Sequence, residues 1–170
     1  MGLQAATCEA VRMSSFELEI INETDFAVDE DRLLKTAAFA MNSLRLNPET
    51  ELSIALVSLA EMERLHIEHM DESGATDVLS FEMDEIRIPA PGELAEPGIL
   101  GDVILSPEFV KNQAAENGNE FEKELDMLLV HGILHLLGHD HAEPEEHKVM
   151  FGMQGEILKA LSISTNELEA

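Results

Sequence analysis

Residues 119–141 read NEFEKELDMLLVHGILHLLGHDH. Leu125, Leu128, Leu129, Ile133 and Leu136 recur at helical spacing and make one apolar stripe, so the stretch predicts a helix over about 120–137. Asn119 with Glu122 three residues later resembles a capping arrangement at its start. His131 and His135 are four positions apart, which places both on one face of that helix. His141 is six residues beyond His135 and would leave this face if the helix continued. Gly138 permits a left-handed turn that ends the helix and brings the chain back.

Around this helix the chain alternates in type. Residues 16–22, FELEIIN, alternate apolar and polar side chains as a half-buried strand does, and 51–59 reads as a more buried strand. Between them 29–45 carries Leu33, Leu34, Ala37, Ala38 and Met41 at helical spacing, and a further helix is expected over 60–69. Thr76 to Glu82 and Leu100 to Leu105 are strand candidates. The intervening RIPAPGELAEPGI, 87–99, holds three of the six prolines and reads as a loop. Ser106-Pro107-Glu108 signals a helix over 107–117, with the serine oxygen expected to cap free amides and Gly118 to stop it. A last helix begins at Pro144 and buries Met150, Met153, Ile157, Leu158 and Leu161. The pattern is α+β, with helices outnumbering strands.

At 170 residues and 45% hydrophobic content the chain matches one domain with one substantial core. Residues 1–12 show no clear periodicity and are read as a leader or disordered segment, leaving 13–170 as a single domain. No apolar run is long enough to span a bilayer and no secretory signal is evident, so a cytoplasmic location without membrane association is expected. Cys8 is the only cysteine, which excludes an internal disulfide framework and any cysteine-built zinc site within one chain. The formal charge of −25 argues against a general nucleic-acid-binding surface, although a local basic strip drawn from Arg64, Arg87, Lys111 and Lys123 remains compatible with it. The methionines are read as core fillers.

With no second cysteine, a metal must be held by His, Asp or Glu. His131, His135 and His141 offer three neutral imidazoles, which suit one Zn²⁺ per chain and leave a fourth position for water, as in a catalytic rather than a closed structural site. Metzincin proteases share this spacing but place a glutamate base directly after the first histidine. Here that position is Gly132, so the pattern supports the metal geometry and argues against protease chemistry.

Four segments, in order, carry a further resemblance: ATDVLSF at 75–81, LGDVILSPE at 100–108, QAAENG at 113–118 and HGILHLLGHDH at 131–141. Together they resemble the YbeY family of metal-dependent endoribonucleases, linked to ribosomal RNA maturation and ribosome quality control, over roughly residues 16–160. The resemblance implies that His131, His135 and His141 are the metal ligands. It implies an α+β fold with a small, mostly parallel mixed sheet of about four strands packed with about five helices, the metal site at the end of a central helix. It also implies hydrolysis of single-stranded or ribosomal RNA by a metal-activated water, with small-subunit ribosomal proteins as further partners. Many members carry arginine at the place of Met70, where it is thought to bind or polarise phosphate. In HIEHMDESGATDVLSF that role is lost, unnecessary or taken by Arg64.

The general acid and base are unassigned, with Arg64 and Asp77 as candidate contributors. Thr76, Asp77 and Ser80 either bond at a strand start or face the metal cleft. His139 is read as a supporting or exposed side chain, and Asp140 as a turn cap or an acceptor for a ligand imidazole. His66, His69 and His147 are read as ordinary helix residues, and Glu124 and Asp126 as solvated acidic surface. Two rivals stand beside the nuclease: a ribosome-associated binding module with a chiefly structural zinc site, and a metallohydrolase acting on something other than RNA.

Overall fold

The computed structural model describes residues 16–70 and 76–169. The expected leader, 1–12, and the side chain of Met70 lie outside what is described. Alternation in the first strand holds: in β1 (Glu17–Asn22) Leu18 and Ile20 pack inward while Ile21 is exposed. Asp29 starts α1 (Glu30–Ser43) by accepting the Arg32 N–H at 3.1 Å, satisfying an amide that has no partner within the helix. There follow β2 (Glu51–Leu56), α2 (Leu59–Met70), β3 (Val78–Glu82), β4 (Ile99–Leu105), α3 (Pro107–Asn117), α4 (Phe121–Leu136) and α5 (Pro144–Glu169). The second strand therefore ends at Leu56, short of the expected 59, because Leu59 already belongs to α2.

The four strands lie in the order β1-β2-β4-β3. β1 pairs with β2 and β2 with β4 in parallel, while β3 runs antiparallel to β4. This is the expected α+β fold, a mostly parallel mixed sheet of four strands with five helices among the described residues. The period-two alternation of side chains divides the sheet's burial between two faces. Leu52, Ile54, Leu56, Val103 and Leu105 join the main core with α1, α4 and α5, whereas Val57, Leu79 and Ile104 form a smaller cluster with Met62 of α2. α4 packs over β4 and β3, and all five members of its stripe are buried.

Three sequence expectations give way to tertiary packing. Glu124 and Asp126 are buried rather than part of the acidic surface. Asp126 faces α1, where its Oδ2 accepts from Arg32 Nη2 at 2.8 Å and its Oδ1 from Thr36 Oγ1 at 3.0 Å. Asn119 does not pair with Glu122 in a capping box: its Nδ2 donates to Glu124 Oε1 at 2.7 Å, and Glu122 ion-pairs with Arg32 at 3.2 Å. Ser106 precedes α3 as expected, but its hydroxyl makes no cap; the residue is fully buried and its backbone N–H donates to the Asp77 carbonyl at 3.3 Å.

Candidate metal centre

α4 carries two of the three histidines and passes close to the sheet at Gly132. A side chain at Gly132 would collide with β4 and β3: a Cβ built there stands 2.9 Å from Val103 Cγ1 and 3.1 Å from Ser80 Oγ. Ser80 Oγ uses the gap to donate to the Gly132 carbonyl at 3.2 Å. The position after His131 thus has no room for the metzincin glutamate. Gly132→Ala is expected to cost about 1–2 kcal/mol in chemical denaturation, overpacking outweighing the helix propensity that alanine adds; an unchanged or raised midpoint would show that β4 yields freely.

The helix stops where Gly138 takes the left-handed conformation, φ 92°. Gly138 N–H donates to the His135 carbonyl at 3.0 Å and His139 N–H to the Leu134 carbonyl at 3.1 Å, the paired bonds of a Schellman ending. The turn brings His141 back to the other two histidines. Asp140 braces it by accepting the His141 N–H at 2.7 Å, which settles the open reading of that residue in favour of the turn.

Within this arrangement one nitrogen from each of His131, His135 and His141 lies within 4.8 Å of the others, so the three can hold a metal ion. The hydrogen bonds decide which nitrogens are free. His135 Nδ1 donates to the His139 carbonyl at 2.9 Å, and His131 Nδ1 donates to Gln154 Oε1 at 2.8 Å. Both protons are thereby placed on Nδ1, leaving two Nε2 lone pairs facing each other at 3.1 Å. Burial pushes the pKa of both rings below the ordinary 6.5, which disfavours a shared proton as the remedy. A bound cation would fit this spacing, since nitrogens bound tetrahedrally to zinc stand about 3.3 Å apart.

The triad opens into a cleft of about 400 Å³, walled on the other side by Thr76, Asp77, Ser80 and Glu82. Thr76, Asp77 and Ser80 thus face the cleft, and the Asp77 charge acts on His131 against the effect of burial. Arg64 lies elsewhere: its exposed guanidinium is held by Glu61 at 2.5 Å and Glu68 at 2.6 Å, and it does not line the cleft. The other basic candidates form no strip, since Lys111 sits over the Phe26 ring and Lys123 beside Glu120. Arg87 is nearest, bonded to Glu82 at 2.8 Å and packed where a Gly138 side chain would go. The His139 side chain is half-buried outside the triad, and His69 packs its ring on Phe81.

The endoribonuclease YbeY family model matches residues 19–162. The chain belongs to this family. It is 47% identical over 152 residues to endoribonuclease YbeY of Thermobifida fusca, covering 89% of this chain and 98% of the relative. It is 50% identical to that of Acidothermus cellulolyticus, covering 84% and 90%. A solution structure from Thermotoga maritima is similar over 91% of this chain and 95% of its own, at 25% identity and a TM-score of 0.56.

In this member of the YbeY family, Gln154 is the side chain that sequence reasoning missed. It is buried on α5 between Met150 and Ile157, and a lone amide on an otherwise apolar stripe was the available signal. Gln154→Leu, which keeps the bulk but removes the acceptor for His131 Nδ1, is expected to weaken zinc affinity by about 10–100-fold in a competition titration, the usual effect of losing such a partner. Wild-type affinity would deny the amide this orienting role. The depressed imidazoles also set a pH dependence. They remain neutral in the folded chain after the unfolded chain has begun to take up protons, so the stability they contribute is present above 6.5 and is lost as pH falls through their lower folded values. Metal-free protein should accordingly melt at a falling temperature below about pH 6.5, and a melting point flat to pH 5 would contradict the burial of these rings.

Proposed function

We propose that the chain is a zinc-dependent endoribonuclease that cuts single-stranded RNA in ribosomal RNA maturation and ribosome quality control. The observation that carries the metal is the pair of Nε2 lone pairs of His131 and His135, fixed at 3.1 Å by Nδ1 hydrogen bonds, with His141 completing the set. Three neutral imidazoles favour zinc, and among the described residues the cluster has three donors where a closed structural site uses four. This supports catalysis over the binding-module reading. RNA as substrate is supported by family membership and by relatives named endoribonuclease at 47% and 50% identity.

When bound, the ion supplies Lewis acidity, lowering the pKa of water and drawing charge from a phosphate oxygen. The chain's own groups do the rest. His131 and His135 are held rigid by Gln154 and the His139 carbonyl, so the donor geometry is set before a ligand arrives. Asp77 offers a carboxylate on the cleft wall, its Oδ1 bonded to Thr76 Oγ1 at 3.3 Å, and is the group proposed to take a proton from the attacking nucleophile. Arg64, held by two glutamates, would have to exchange partners to meet phosphate. Among the described residues no helix is long and apolar enough to cross a membrane, which is compatible with the cytoplasmic location and the ribosomal partners proposed.

The deciding experiment is cleavage of an end-labelled single-stranded RNA by purified protein with metal content measured on the same sample. Cleavage that stops on chelation and returns with one equivalent of zinc supports the reading. Stoichiometric zinc without cleavage would turn it toward the binding module, and casein cleavage toward a peptidase.

A further inference from the structure

Of the seven phenylalanines, and with no tryptophan or tyrosine present, Phe151 alone is exposed, at 38%. It stands against the metal centre. Its ring centroid is 5.6 Å from His131 and 5.9 Å from His141. One turn earlier on α5, His147 stacks on it at 4.2 Å with 17° between the planes, and meets His141 edge-on at 6.4 Å. His147, read from sequence as an ordinary solvated residue, is exposed but belongs to an aromatic platform continuous with the triad.

We infer that the stacked Phe151–His147 pair is a nucleobase subsite, which takes the base flanking the scissile phosphate of a single strand by π-stacking; this rests on the RNA reading above. A flat ring surface suits such a strand for two reasons. Every base has a π-face, so stacking holds the strand without reading its sequence. It also needs no positive charge, and this chain has 10 basic residues against 35 acidic ones; among the described residues no arginine lines the cleft, and Arg64 and Arg87 are both paired to glutamates. Stacking beside the triad would fix the strand's register relative to the metal, which places the adjacent phosphate in the cleft.

The test combines Phe151→Ala and Phe151→Trp in the zinc-loaded protein with a set of short single-stranded RNAs, each carrying one abasic position near the cleavage point. Phe151→Ala is expected to raise KM about five- to a hundredfold, far more than it lowers kcat, with zinc content unchanged, and Phe151→Trp to restore the wild-type value. In the wild type, one abasic position should reproduce that loss, and in Phe151→Ala the same position should cost nothing further. Abasic penalties that are equal in wild type and variant would overturn the subsite while leaving the nuclease intact. A Phe151→Ala protein that loses zinc or kcat with KM unchanged would make the ring a support for His131 instead. Wild-type protein that neither binds nor cuts any of the RNAs would remove both the subsite and the reading beneath it.

Discussion

His135→Ala is expected to reduce RNA cleavage by about a thousandfold or more, since the Lewis acidity at stake is worth several kcal/mol and each 1.4 kcal/mol is tenfold in rate. His135 meets both other donors, its Nε2 3.1 Å from that of His131 and its ring 5.3 Å from that of His141. Two imidazoles that remain cannot hold zinc at catalytic occupancy. The ring is only half-buried at the cleft, so the fold should survive its removal, and the thermal melt of the metal-free variant should stay close to that of metal-free wild type. Zinc content and cleavage should fall together. A variant that lost its zinc and still cut at the wild-type rate would end the metal-dependent mechanism, whatever the family.

Arg32→Ala carries the largest expected effect on stability, about 2 kcal/mol at neutral pH in urea denaturation. The range for breaking a buried pair is higher, but the Arg32 side chain is one-third exposed and its removal lets some water reach Asp126. Asp126 is 4% exposed and lies between Arg32 and Thr36. Burial raises its carboxyl above the ordinary 3.8 even though Arg32 and Thr36 pull the other way. A carboxyl raised in the folded state stabilises most below its unfolded value and loses that contribution as pH rises through its folded value. Without Arg32 the folded value climbs further, so the penalty should be small near pH 4 and full near pH 7. Equal penalties at both would mean that Asp126 is not the group left stranded.

The stretch 119–141 shows how far a sequence alone can go. Helix α4, its buried stripe, the ending at Gly138 and the approach of three histidines were legible because each depends on residues within a turn or two: the period of the helix, the four-residue separation of His131 and His135, and a backbone conformation that glycine adopts without strain. The same local logic predicts the strands and remaining helices, and the four ordered segments carry the family resemblance.

What the sequence left unsettled is long-range. Asp126 reads as one more acid on an acidic chain until α1, 94 residues earlier, supplies Arg32. The Nδ1 partner of His131 comes from α5, 23 residues later, and that partner decides which nitrogen is left for a metal. Gly132 reads as a missing catalytic base, yet even a Cβ there would crowd Val103 of β4 and Ser80 of β3. Asp77 and Ser80 could be assigned to the cleft, and Arg64 placed outside it, only when β3 had been paired with β4 and laid under α4. Local periodicity determines which elements form and which faces are apolar; which polar groups share the space between those elements depends on how the faces dock, and that was decided by the tertiary structure.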